Sequence, residues 1–284
     1  MILKFWGTRG SIPSPGPDTI KYGGNTTCIE LRLDDGTLII FDAGTGIRNL
    51  GTELIRSRKN KIINLFISHS HWDHIQGFPF FKPAYQDDTI INIFGCPPTY
   101  DKLREILTNQ MESQYFPVNF TELKAKIIFK EINNGHYKIG NGILSFIQNN
   151  HPGTAYGVKV TESGCKMVFI TDNELIPSEK EPDQWKKFVD FCQDADLLIH
   201  DAQYLNSELI NNSGFGHSSF EETLNLGLQA HVKHLIFFHH NPSRTDSELD
   251  YILNNVQERL MDLESNIEIS AATEGLAISL CQNS

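Results

Sequence analysis

Short apolar runs closed by a polar residue or glycine recur along the chain and alternate with longer segments whose apolar positions fall three and four apart. Runs of the first kind predict strands at Leu3 to Trp6, Cys28 to Leu33, Leu38 to Asp42, Ile63 to Ser68, Ile90 to Phe94, Ile143 to Gln148, Tyr156 to Val160, Met167 to Thr171, Leu197 to His200 and Leu235 to Phe238. The helical period predicts helices at Ile47 to Ser57, Thr99 to Glu112, Gln184 to Gln193, Phe220 to Ala230 and Ser247 to Leu263. Ser218 with Glu221, and Thr245 with Glu248, fit the capping box that closes a helix start by reciprocal hydrogen bonds. Many strands, with helices scattered between and after them, predict an α+β fold in which sheets pack together and helices lie outside. With no repeat, low-complexity tract or linker-like stretch, a single domain over residues 1–284 is expected.

Composition narrows this picture. At 284 residues, 39% hydrophobic and 21% charged, the chain can bury a large core. No apolar run reaches the ~18 residues of a membrane helix, and the N-terminal segment meets Arg9 early, so no membrane association and a cytoplasmic location are expected. Five cysteines, Cys28, Cys96, Cys165, Cys192 and Cys281, are odd in number and widely spaced, which predicts buried free thiols in a reducing compartment. A net charge of −11 argues against a long nucleic acid as partner, since polyanion binding draws on Lys and Arg. A small anionic substrate remains open, because bound divalent cations supply positive potential locally.

Polar residues collect where the predicted strands end: Asp42, His69, Asp172 and His239 each follow an apolar run. In Ser68-His69-Ser70-His71-Trp72-Asp73-His74, three imidazoles and a carboxylate fall within six residues after a core strand. Such a cluster has no packing purpose, and imidazole with carboxylate is the usual donor set for Zn²⁺ and similar ions.

This run resembles the H-x-H-x-D-H motif of the metallo-β-lactamase superfamily, and further matches follow in order. Asp42 in Phe41-Asp42-Ala43-Gly44 is similar to an early aspartate that orients a ligand histidine. His151 before Pro152 is similar to the third motif's histidine, with His136 as its competitor in a turn. Asp172 resembles the carboxylate that bridges two metals. His239 resembles the last histidine, although His240 is adjacent. The resemblance implies an αββα four-layer sandwich of two packed mixed β-sheets with helices outside. It also implies two divalent ions, Zn first and Mn or Fe as alternatives, one on His69, His71 and His151, the other on Asp73, His74 and His239, with Asp172 shared. Two metals roughly 3.5–4 Å apart would hold a hydroxide as nucleophile. Redox members carry a glutamate where this chain has His71, which favours hydrolysis.

Two later segments resemble ribonuclease Z enzymes: Leu197-Leu198-Ile199-His200-Asp201-Ala202-Gln203-Tyr204, and Gly216-His217-Ser218-Ser219. Carried over, Asp201 would hold His217 as general acid, with His200 in support and Asp73 in the catalytic set. Asp201 and Gln203 stand where that branch has glutamate and threonine, and no long basic arm is visible. Tyr22-Gly23-Gly24-Asn25-Thr26 and the His71 to Phe81 segment look more like bacterial phosphodiesterases near ribonuclease Z and the cyclic phosphodiesterase of phosphonate metabolism.

The resemblance therefore implies a metal-dependent hydrolase of small phosphodiesters, cyclic nucleotides first. A tRNA 3′-processing endonuclease and a non-catalytic nucleotide sensor are the alternatives, and a homodimer is the assembly implied. Asn25, Thr26 and Ser218 are candidate substrate contacts, though the glycine pair before Asn25 equally fits a plain turn. One or two of Phe78, Phe80, Phe81, Tyr85, Tyr115 and Phe116 are expected to touch a base, with residues 97–125 a helical insert over the pocket.

Overall fold

A computed structural model describes residues 1–58, 61–97, 99–132 and 136–281. The strands are β1 (Ile2–Gly7), β2 (Cys28–Arg32), β3 (Leu38–Phe41), β4 (Ile62–Phe66), β5 (Ile90–Gly95), β6 (Lys126–Glu131), β7 (His136–Ile139), β8 (Gly142–Gln148), β9 (Tyr156–Glu162), β10 (Cys165–Ile170), β11 (Leu197–Asp201), β12 (His234–Phe238), β13 (Glu268–Ala271) and β14 (Ala277–Ser279). The α-helices are α1 (Ile47–Ser57), α2 (Trp72–Ile75), α3 (Thr99–Asn109), α4 (Pro182–Cys192), α5 (Asn206–Asn212), α6 (Phe220–Gln229) and α7 (Asp246–Asp262).

Two mixed seven-stranded sheets form, in the orders β14-β1-β2-β3-β4-β5-β6 and β13-β12-β11-β10-β9-β8-β7. Strands β3 to β6 run parallel in the first sheet and β10 to β13 in the second, with antiparallel strands completing each. Alternation along buried strands divides the core into layers. In β3, Ile39 and Phe41 face the other sheet, while Leu38 and Ile40 face outward into a second cluster with α1 and α3. Between the sheets, Phe41 meets Phe169 at 5.6 Å and Phe5 meets Phe238 at 6.0 Å. Helix α1 buries Ile47, Leu50, Gly51 and Leu54, the spacing of one helical face. Helices α4, α6 and α7 cover the outer face of the second sheet through Phe188, Leu224 and Val256 among others. The result is the four-layer αββα sandwich, and no helix among the described residues is long and apolar enough to cross a membrane.

Two expectations are corrected. Cys165 is bonded to Cys281, 116 residues away, so only Cys28, Cys96 and Cys192 are free, all buried. Strand β14 returns to the edge of the first sheet and brings Cys281 beside β10 of the second, a meeting that spacing alone cannot reveal. The cap of α6 is Ser219 with Glu222, one residue later than expected, because the Ser218 hydroxyl is engaged by Leu175 and Asn173. His136 opens β7; the rest of its expected turn, residues 133–135, lies outside the described residues.

Candidate metal centre

Three site residues sit just past strand ends in the left-handed backbone region: Asp42 at φ 62°, Asp172 at φ 54° and His239 at φ 58°. Aspartate and histidine tolerate this region better than β-branched residues, at a cost on the order of 1 kcal/mol each. The turn breaks strand alternation and directs each side chain across the rim rather than into either face. Asp42 follows β3 and His69 to His74 follow β4, both in the first sheet. His151 follows β8, Asp172 follows β10, Asp201 ends β11 and His239 follows β12, all in the second.

Two groups of donors converge. His69, His71, His151 and Asp172 form one, and Asp73, His74, Asp172 and His239 the other, with the donor atoms of each group within 4.8 Å of one another. His151 Nε2 lies 3.1 Å from His71 Nδ1 and 3.8 Å from Asp172 Oδ1. His239 Nε2 lies 3.1 Å from Asp73 Oδ2 and 3.2 Å from Asp172 Oδ2. His74 Nε2 is 3.2 Å from Asp73 Oδ2 and 3.1 Å from Asp172 Oδ2, yet among the described residues it makes no hydrogen bond, and neither does the buried Nε2 of His69. A buried, unpartnered polar atom costs about 1–3 kcal/mol. The unpartnered Nε2 atoms of His69 and His74 therefore point at the positions on which the other donors converge, a geometry that fits cations.

Surrounding bonds fix the rings. Asp42 accepts from Ser68 N at 2.7 Å, from Ser68 Oγ at 2.8 Å and from His74 Nδ1 at 2.8 Å, so His74 presents Nε2 inward. His151 Nδ1 donates to Gly216 O at 3.0 Å. Gly216 has φ 85°, and a Cβ there would sit 2.1 Å from His151 Nδ1, so only glycine fits. Asp73 Oδ2 accepts from Ser11 N at 2.7 Å and Asp172 Oδ2 from Thr171 Oγ1 at 2.6 Å.

The charges follow from this crowding. Burial works against charge on His74, but Asp73, Asp172 and Asp42 together raise its pKa well above the ordinary imidazole value. Burial, reinforced by His74, lowers that of His69 well below it. Burial would raise Asp172, yet His239, His74 and His69 hold it well below the carboxylate range.

Next to the second group, His217 Nδ1 donates to Asp201 Oδ2 at 2.7 Å, and its ring stacks on His239 with centroids 5.1 Å apart. Burial lowers the His217 pKa, but Asp201, with Asp172 and Asp73, outweighs it and the value is pushed up to about 9. His239, not His240, faces the cluster: His240 Nε2 donates to Ala272 O and the ring lies edge-on to Tyr22.

Three expected substrate contacts lie elsewhere. Asn25 spends its backbone N–H and its amide on Glu274; Thr26 and Ser218 are fully buried, their hydroxyls bonded within the fold. In this structure the polar groups of these three serve the fold, being bonded to other protein atoms. His200 is buried away from the donors, with Nδ1 on Asp201 O and Nε2 near Asn173. His71 and Trp72 are the exposed members of the motif.

Three residues outside the expected site set also contribute. Glu174 accepts from Ser213 Oγ, Gly214 N and Gly216 N, pinning the loop before His217. Gln203 approaches His239 Nδ1 at 3.2 Å. The buried Arg9 donates to Gly23 O, Asn241 O and Arg244 O, tying the loops of both sheets together.

A sandwich of this topology with such a rim is that of a metallohydrolase. The sequence pattern of the β-lactamase superfamily domain matches residues 37–240, and the chain belongs to that family. Ribonuclease Z of Picrophilus torridus is 24% identical over 92% of this chain and 91% of its own length. Human tRNase Z, short form, superposes with a TM-score of 0.68 at 21% identity, covering 99% of each chain. Zn²⁺-bound PqqB from Methylobacterium extorquens does so with 0.73 at 12% identity, covering 99% of this chain and 100% of its own.

These relatives overturn the expectation that a long nucleic acid is no partner, since two of them are named for ribonuclease activity, one on tRNA. Net charge was a poor guide because it averages over the whole surface, whereas recognition depends on local potential and on any bound cations.

Proposed function

We propose that the chain hydrolyses phosphodiester bonds adjoining a nucleoside, with one divalent ion held by His69, His71, His151 and Asp172 and a second by Asp73, His74, His239 and Asp172. The observation that carries this reading is the pair of converging donor groups sharing Asp172, beside the Asp201–His217 pair. The donor set suits Zn²⁺ first, with Mn²⁺ and Fe²⁺ compatible. Such a pair of ions, when bound, neutralises phosphoryl oxygens and supplies an activated water at neutral pH.

The protein's side chains perform the remaining tasks. Asp42 keeps the Nε2 lone pair of His74 free by holding the proton on Nδ1. His217, bonded to Asp201 through Nδ1, keeps Nε2 for passing a proton to the departing oxygen as the P–O bond breaks. That transfer spares a poor leaving group its full negative charge.

RNA is the substrate favoured by the relatives named ribonuclease Z, and 3′-end processing is the corresponding reaction. A small cyclic nucleotide is the second reading, favoured by an aromatic cleft lined by Ser70 and Trp72, which neighbour the donors along the chain. Metal-reconstituted protein is assayed on bis(p-nitrophenyl) phosphate, cyclic AMP and a 3′-extended precursor tRNA, with Asp172→Ala as the inactive control. His217→Ala is expected to slow cleavage of alkoxide leaving groups far more than of nitrophenolate. Equal losses would remove the proton-donor role, and binding without turnover on all three would leave a nucleotide sensor.

A further inference from the structure

A cleft of about 600 Å³ opens on the exposed side of the motif. Ser70 and Trp72 line it, and they alternate with His69, His71 and Asp73 along the chain. The Trp72 α-carbon is thus about 3.8 Å from those of His71 and Asp73. Trp72 is 81% exposed although Asp73, His74 and Ile75 after it are buried. A tryptophan held out in water on an anchored turn adds nothing to the core, so its indole face is free for a ligand.

The other lining groups agree. Phe80 and Phe116 meet edge to face at 5.2 Å, and Tyr115 is 74% exposed. Gln110 Nε2 is buried in this lining and has no hydrogen-bond partner among the described residues, so an amide N–H awaits an acceptor. None of the described residues lining the cleft is charged, which suits a flat neutral ring rather than a phosphate.

We propose that this cleft is a nucleobase site: the base next to the scissile phosphate stacks on Trp72, and Gln110 donates to a ring nitrogen or exocyclic oxygen on its edge. The inference rests on the phosphodiesterase reading for the placement of the phosphate, and it adds the group that selects the substrate. The same chemistry serves the base of a cyclic mononucleotide and the base flanking a cleaved RNA bond.

Calorimetric titration of the Zn²⁺-loaded protein with 5′-AMP and with ribose 5-phosphate isolates the base. AMP is expected to bind about tenfold tighter or more, as stacking on one aromatic ring provides. In Trp72→Ala that advantage disappears while ribose 5-phosphate binds as before; Trp72→Phe restores most of it, and Gln110→Ala lowers it severalfold. Trp72 is exposed, so its replacement leaves the fold intact. Equal affinity for the two ligands, or a Trp72→Ala protein that keeps the preference, overturns the proposal.

Hydrolysis of bis(p-nitrophenyl) phosphate by the same preparations separates the two levels of inference. Turnover without base preference refutes the nucleobase site alone, and base preference without turnover supports it while refuting the hydrolytic reading. Between cyclic AMP and a 3′-extended RNA, the substrate whose KM rises in Trp72→Ala identifies the source of the base. A rise for neither overturns the proposal.

Discussion

Replacing Asp42 by asparagine tests whether the buried carboxylate behind the cluster governs cation affinity through a single proton. Asp42 accepts three hydrogen bonds, two from Ser68 and one from His74 Nδ1. An asparagine oxygen can keep the bond from Ser68 N, but its NH₂ group then faces His74 Nδ1, and two donors cannot meet there. In the neutral form that binds a cation, His74 resolves the conflict by placing its one proton on Nε2, the nitrogen that the cation needs. Loss of such an orienting partner weakens metal binding about 10–100-fold, or roughly 1.4–2.8 kcal/mol. The fold itself should change less, because losing about 1 kcal/mol of hydrogen bonding is partly offset by no longer burying a charge. Competition against a chromophoric chelator gives the affinity, and calorimetry of the metal-free proteins gives Tm, expected to move by no more than about 4 °C. Affinity within twofold of the parent protein would refute the tautomer argument.

Because three carboxylates keep His74 protonated in the metal-free protein, cation binding at neutral pH should expel that proton, and affinity should fall as pH drops. Titrations in buffers of different ionisation enthalpy detect the released proton, and an absence of buffer dependence would contradict it. Glu174→Ala removes the acceptor of the bonds from Ser213, Gly214 and Gly216. It should lower kcat about tenfold or more through misplacement of His217 and speed amide exchange at Gly214 and Gly216; unchanged exchange would show that the loop holds itself. Reducing the Cys165–Cys281 bond, which spans 116 residues, should destabilise the fold by up to about 4–5 kcal/mol, read as a lower Tm in thiol-containing buffer. An unaltered Tm would mean that the bond closes a segment already free to separate.

The sequence disclosed those parts of the site in which residue type and position coincide. His69, His71, Asp73 and His74 stand close together after an apolar strand, and Asp42, Asp172 and His239 each follow another. The helix Ile47–Ser57 was legible to the residue from its apolar spacing. Strands β6, β7, β13 and β14 were not, because β6 and β7 are half-exposed edge elements and β13 and β14 are too short to show a period. Asn25, Thr26 and Ser218 were misread because a polar residue in a glycine-rich turn looks the same whether it faces a ligand or its own backbone. Glu174 went unnoticed for the opposite reason: it acts through a loop that is distant along the chain.

The donors come from both halves of the sandwich, His69 to His74 from one sheet and His151, Asp172 and His239 from the other. A cation seated among them is therefore a rivet across the seam between the halves, and its departure loosens their union at one edge. Assembly runs in the same sense: neither half alone offers a complete coordination shell, so tight metal capture has to follow docking and reports that the seam has closed.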